Sequence, residues 1–268
     1  MSDCKIIVGT SGYSFADWVG PFYPPGLPKG KMLDFYKDHF HAVEINSTYY
    51  GIPHPAVFFN IAKKVPDNFE FMVKTHQSFT HTHKDLKENF AAFNEAMKPL
   101  IDTAMLKGYL AQFPWSFKFS ASNLQYVLDS RGFFNDISLY VEFRHVSWDR
   151  PEVYSALQEN NIGFCSVDEP RLEGLFPPKA EVTTKVGYIR FHGRNAIDWW
   201  QPRPNSDRYN YSYKKEELAD WIRRIDKLRE KTDKVYLFFN NCHLGQAVHN
   251  AKMMMEMMPE QWGEKKQR

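Results

Sequence analysis

Along the chain, short runs of apolar or alternating residues recur between stretches in which apolar positions fall at i, i+3 and i+4, the helical spacing. Eight runs read as strands: Lys5 to Gly9, Ala42 to Asn46, Phe69 to His76, Gly108 to Phe113, Leu139 to Arg144, Ile162 to Val167, Val186 to His192 and Val235 to Asn240. Helical segments between and after them include Lys29 to His41, His83 to Thr103, Asn123 to Phe134, Pro151 to Asn160, Tyr213 to Lys231 and Leu244 to Met258. The link between the sixth and seventh strands is mostly irregular. Strands that alternate with helices pair in parallel through crossovers. Eight such units predict an α/β fold, one (β/α)8 TIM-like barrel filling residues 1–268 as a single domain, irregular around its sixth and seventh units. An open doubly wound sheet is the competing architecture. It lacks its usual nucleotide signatures, since no G-x-G-x-x-G follows the first strand and no G-x-x-x-x-G-K-[ST] occurs.

Polar residues stand where a strand buried on both faces should be apolar, and they cluster at the C-terminal ends. Residues two apart face the same way, so Lys74 pairs with His76, Glu142 with Arg144, Glu44 with Asn46, and Arg190 with His192 and Arg194. Gln112 ends strand four, Asp168 lies just past strand six, and Asn240 and Asn241 end strand eight. Burying such groups costs desolvation energy unless they pair or serve a ligand. Glu44 and Glu142 have the sign to neutralise Lys74, Arg144 and Arg190, so a satisfied ion network is the structural reading. The functional reading takes Lys74, Arg144 and Arg190 as a cationic floor for phosphate or carboxylate, with Glu44, Glu142 and His192 as proton-transfer candidates. Long loops after strands one and seven, Thr10 to Gly30 and Gly193 to Tyr211, carry aromatics to the same end. Tyr13, Trp18 and Trp148 are the ones read as stacking on a base or sugar ring.

Composition narrows the classes further. Lys+Arg 34 against Asp+Glu 32 leaves a formal charge of +2, without the global basic excess of a nucleic-acid coat or membrane-surface protein. Cys4, Cys165 and Cys242 are far apart and form no C-x-x-C pair, which points to reduced thiols, with Cys165 packed in the core. The N-terminus runs straight into a strand and no apolar run is long enough to span a bilayer, so a cytoplasmic location is expected. A divalent metal held by some of Glu44, His76, Glu142, Asp168, His192 and His243 is a rival reading, opposed by three cations on the same floor. Thr80-His81-Thr82-His83 contains an H-x-H pair, but in a loop.

Several motifs in order resemble one bacterial and archaeal family, the domain of unknown function 72. They are Gly9-Thr10-Ser11-Gly12-Tyr13, Trp18 with Phe22-Tyr23-Pro24, Val43-Glu44-Ile45-Asn46-Ser47-Thr48-Tyr49-Tyr50, Gln112-Phe113-Pro114, and Glu142-Phe143-Arg144-His145 with Ser147-Trp148. Tyr188-Ile189-Arg190-Phe191-His192-Gly193 and Phe239-Asn240-Asn241 with Asn250-Ala251 complete the set. The resemblance implies a TIM barrel. Through a likeness to barrel endonucleases that act on abasic DNA, it also implies a nucleic-acid or phosphodiester role, although basic residues stand here where a three-metal cluster would want acids and histidines.

The resulting expectation is a barrel that binds a small anionic, phosphate-bearing ligand at its C-terminal mouth and carries hydrolase-type acid–base chemistry. Arg144, Arg190 and Lys74 would bind the anion, Glu142 or Glu44 with His192 would move protons, and Asn46, Asn240 and Asn241 would orient the ligand, with His76 beside them. No cofactor is predicted, no membrane association is expected, and no protein partner follows from the sequence. A nucleic-acid-binding module without catalysis and a metal-dependent hydrolase or isomerase are the alternatives, the former marked by a steep loss of affinity with salt.

Overall fold

A computed structural model of the chain describes residues 4–134, 136–201 and 207–262. Its eight strands are β1 (Lys5–Ser11), β2 (Ala42–Ile45), β3 (Glu70–Lys74), β4 (Leu106–Gln112), β5 (Leu139–Glu142), β6 (Ile162–Asp168), β7 (Val186–Phe191) and β8 (Lys234–Phe239). They close in chain order, every neighbouring pair parallel, with β1 also paired to β8. The helices are α1 (Met32–Tyr36), α2 (Pro55–Ala62), α3 (Leu86–Asp102), α4 (Ala121–Asp129), α5 (Pro151–Glu159), α6 (Lys215–Arg229) and α7 (Gln246–Met257). The predicted (β/α)8 barrel is present, and the connection from β6 to β7 has no helix, as its irregular pattern implied.

Three local departures have physical causes. Helix α2 escapes the periodicity reading because it spans only two turns. It is started by Pro55 in its first turn and by His54, whose ring nitrogen accepts the Ala56 N–H at 3.2 Å. Helix α3 begins at Leu86 and not at His83, because His83 (φ 52°) and Asp85 (φ 48°) lie in the left-handed region that a right-handed helix cannot cross. The preceding Ser78–Thr82, read as loop, is instead a π-helical turn.

The barrel interior is a layer of large rings. Tyr140, Tyr188, Tyr236 and Phe238 pack with Ile7, Ala42, Met72, Leu110 and Cys165, which places the thiol in the core as expected. Glycine on the neighbouring strands makes the room. A Cβ at Gly163 would sit 2.3 Å from the Tyr140 ring and one at Gly108 2.6 Å from it. Outward-facing residues such as Val43, Phe71, Ile189 and Phe239 pack against the helices in a second apolar layer with Trp221 and Leu33. The strand interiors are largely apolar on both faces and charge is kept to the ends: Glu70 and Lys234 pair at the N-terminal end, and the residues of the predicted site are lifted together to the C-terminal mouth.

Gly163→Ala should therefore overpack the barrel and cost about 1–3 kcal/mol, read as a lower urea midpoint with an unchanged slope. Wild-type stability in that variant would contradict the ring-against-glycine packing.

Candidate functional site

Above the ring layer, inward positions bring together a continuous chain of charges. Arg190 of β7 donates from Nη2 and Nε to both oxygens of Glu44 at 2.7 and 2.9 Å, and from Nη1 to Glu142 Oε2 at 2.6 Å. Arg144 donates from Nε to Glu142 Oε1 at 2.5 Å and from Nη1 to Glu169 Oε2 at 2.9 Å. The Tyr188 hydroxyl adds a hydrogen bond to Glu44 Oε2 at 2.5 Å, and the Phe176 N–H one to Glu169 Oε1 at 3.2 Å. Both glutamates of the centre, Glu44 and Glu142, are fully buried. Removing either arginine would leave carboxylates in a low dielectric without a counter-charge.

Burial and neighbouring charge set the protonation states. Burial pushes the Glu142 carboxyl up, but the charges of Arg144 and Arg190 outweigh it and hold the group well below the ordinary carboxylate range. Glu169 is different: burial dominates, Arg144 offsets it only partly, and its pKa rises to about 8. His192 is driven down to about 3 by burial and by Arg144, so its ring is neutral. Its Nδ1 lies 2.9 Å from Asn240 Nδ2, and its Nε2 lies 3.1 Å from Arg144 Nη2, which can only donate, and 3.2 Å from Glu142 Oε1. Lys74 falls to about 7, first through burial and then through Arg190. As proton-transfer groups, Glu142 and His192 are poorly matched to neutral pH, whereas Lys74 and Glu169 bracket it.

What a ligand meets from outside is positive. The carboxylates Glu44, Glu142 and Glu169 have no exposed side-chain surface, while Arg144 keeps 10% of its side chain exposed. Lys74 is half-buried, donates to Gln112 Oε1 at 2.8 Å, lies 4.4 Å from the centroid of the Tyr49 ring and enters none of the ion pairs among the described residues. His81, on the π-helical turn, packs edge-on against Tyr49 and is lowered to about 4 by burial and by Lys74. A cavity of about 450 Å³ has Tyr13, Phe15, Tyr50, Phe58, Tyr209 and Asn240 in its lining; Asn240, 2.9 Å from His192, connects it to the charged run, and Lys74 and Arg144 are not on its wall. Ser11 Oγ and Asn46 Oδ1, both buried and without hydrogen-bond partners, border it.

Not every predicted residue converges. Arg190 is buried and engaged on all three nitrogens, so it braces the floor and is closed to a ligand. Trp18 and Trp148 are wholly buried and donate their indole N–H to the carbonyls of Cys242 and Phe117, so neither ring is free to stack on a base. Tyr13 does line the cavity. Asn241 is fully buried and donates to Tyr211 O and Asn250 Oδ1 in the packing beneath helix α7. His76 has left the strand and shares a hydrogen bond with Ser78. Arg194 was grouped with Arg190 and His192, but Gly193 at φ +87° breaks the alternation. Arg194 turns to the outer layer and grips Asp168, which also accepts from Tyr213 and Trp221.

Glu169 and Tyr209 were not singled out from the sequence, and His81 and Tyr49 entered only through the H-x-H pair and a family motif. The signal for Glu169 was present, since it lies two residues past Val167 and four past Cys165, on the inward register of β6. The others sit on loops, where no period reports direction. For the metal alternative, no group of three or more His, Cys, Asp or Glu is placed to hold an ion among the described residues. Asp168 faces outward and Glu44 and Glu142 are taken by arginine. No helix among the described residues is long and apolar enough to cross a membrane, and all three cysteines are free.

Comparison with known proteins agrees with this architecture. Residues 7–268 match the family described as "Protein of unknown function DUF72". The chain is 30% identical to the UPF0759 protein YunF of Bacillus subtilis (strain 168), over 94% of each chain. It superposes on the crystal structure of a DUF72 family protein from Thermotoga maritima MSB8 with a TM-score of 0.87 at 42% identity, covering 94% of this chain and 98% of that one. A DUF72 family protein from Enterococcus faecalis V583 gives 0.84 at 29% identity, covering 94% of each chain.

The neutral His192 has a consequence for stability. Its folded pKa of about 3 lies below the unfolded value, so between roughly pH 6.5 and 3 the unfolded chain binds the extra proton. Stability from this group is present above pH 6.5 and is lost as the pH falls, by about 1.4 kcal/mol per unit for one proton. Urea unfolding from pH 7 to 4 should show a shallower decline in His192→Gln than in the wild type. Parallel declines would mean that His192 takes up its proton in the fold.

Proposed function

The chain belongs to the DUF72 family, and on that footing we propose that it is an enzyme whose barrel mouth binds a small anionic, phosphate-bearing molecule. The observation that carries this reading is the vertical sorting of charge: three carboxylates are sealed below, while Lys74 and the outer edge of Arg144 remain open above. An anion entering there meets two cations without displacing a carboxylate; the three nitrogens of Arg144 already face Glu142, Glu169 and His192, so it offers the exposed edge of its guanidinium. The adjoining cavity takes the uncharged part of the ligand, with the Tyr13 and Phe15 rings on its wall and the unpartnered Ser11 Oγ and Asn46 Oδ1 as polar anchors.

Proton transfer falls to Lys74, whose pKa of about 7 lets it give and take a proton near neutrality, whereas Glu169, raised to about 8, is sealed behind Arg144. Gln112 and Tyr49 hold Lys74 in place, and Glu44, Arg190 and Glu142 brace Arg144 from below. Three free thiols and the near-neutral charge of the chain suit a cytoplasmic enzyme of small metabolites better than a nucleic-acid coat.

Thermal unfolding against inorganic phosphate, sugar phosphates and nucleotides tests the reading. A true ligand at about 100 times its Kd should raise Tm by about 5 °C, and Lys74→Gln should abolish most of that rise without lowering the ligand-free Tm. If no phosphorylated or carboxylated compound moves Tm, or if the rise survives in Lys74→Gln, the reading fails.

A further inference from the structure

We propose that Lys74 is a nucleophile that forms an imine with an anionic aldehyde or ketone bound at the mouth. The inference rests on the anion-binding reading above and names the reacting group of its ligand. The geometry begins with what Lys74 lacks. A lysine placed for stability alone would neutralise one of the nearby glutamates, yet Glu44 and Glu142 are saturated by Arg190 and Arg144, and Glu169 by Arg144 and the Phe176 N–H. Lys74 stands at the C-terminal end of β3 with only uncharged partners, the Gln112 carbonyl oxygen and the face of Tyr49.

Neither partner is an anion that would hold Lys74 protonated. Nζ donates to Gln112 Oε1 and sits 4.4 Å over the Tyr49 ring, and once the extra proton is lost the lone pair is left for an electrophile in the mouth. Burial first, and then the cations Arg190 and Arg144, bring its pKa down to about 7 against the opposing pull of the carboxylates Glu142 and Glu44, while the neighbouring His81 ring is neutral. Desolvation beside other cations is the general way in which proteins keep a lysine unprotonated and reactive. Arg144, whose charge is felt at Lys74, would hold the anionic end of the same molecule.

The step balances without a cofactor. The Nζ lone pair forms the C–N bond to the carbonyl carbon, and the C–O π pair moves to oxygen. Nitrogen loses one proton, the oxygen gains two in all, one of them from solvent, and it leaves as water. The product is a protonated imine on Lys74, an electron sink that acidifies the neighbouring C–H bond or weakens the next C–C bond. The substrate class is thus a small phosphorylated or carboxylated carbonyl compound.

Glycolaldehyde phosphate with sodium cyanoborohydride at pH 7, followed by intact mass and peptide mapping, tests the proposal. One reduced adduct per chain is expected on Lys74, formed about tenfold or more faster than on any exposed lysine, slowed by inorganic phosphate and absent from Lys74→Met and Lys74→Arg. Labelling scattered over surface lysines, or a Lys74 no faster than they are, overturns it. If phosphate still raises the wild-type Tm in that case, the imine is wrong and the anion site stands. If uncharged glycolaldehyde labels Lys74 as fast as its phosphate does, the nucleophile stands and the anion reading falls.

Discussion

Everything at the barrel mouth depends on one arrangement, the run of Glu44, Arg190, Glu142, Arg144 and Glu169 laid across strands that are otherwise apolar. Three carboxylates against two guanidinium groups do not cancel, and the remainder is absorbed by protonation: Glu169, at the end of the run, holds its proton to about pH 8. Buried ion pairs are weak stabilisers compared with packed apolar side chains, so such a run is poor value as mere scaffolding. Its effect is to fix two guanidinium groups and to hold Lys74 in an electropositive setting where it has no carboxylate of its own.

The fold was largely legible because a parallel barrel imposes short strands that are apolar on both faces and separated by amphipathic helices. Parity along those strands also carried much of the site: it put Glu142 with Arg144 and Arg190 with His192 on shared faces, and Glu44 and Lys74 at the same C-terminal end. Where the backbone left the strand, parity stopped reporting direction. Gly193 turned Arg194 outward to Asp168, and the burial of Trp18 and Trp148 against Cys242 and Phe117 depended on loop paths that no period encodes. Likewise, the pairing that closes Arg190 to ligands arises from strands far apart in sequence. Sign and face could be read for each residue alone, but which carboxylate each guanidinium would take depended on barrel closure.

Division of labour in the mouth follows from depth. The deepest charges are mutually satisfied and rigid, the intermediate ones tune protonation, and the outermost are half-exposed beneath Tyr49, His81 and Tyr209. A site built in this order presents reactive groups on β-strands and leaves recognition to loops, the usual partition in barrels of this kind. The long aromatic segment after β1, with Tyr13 and Phe15, and the residues around Tyr209 after β7 belong to the second category.

The ring layer under the mouth carries an implication of another sort. Tyr140 occupies the volume that side chains at Gly108 and Gly163 would need, so these three positions on β4, β5 and β6 constitute a single packing decision written in three codons. Exchange at any one of them is conditional on the other two, and a lineage that replaces the tyrosine with something smaller opens a void that only a larger residue at one of the glycines refills. Drift through this part of the barrel is confined to concerted moves, which leaves the floor beneath the charges historically as well as mechanically stiff.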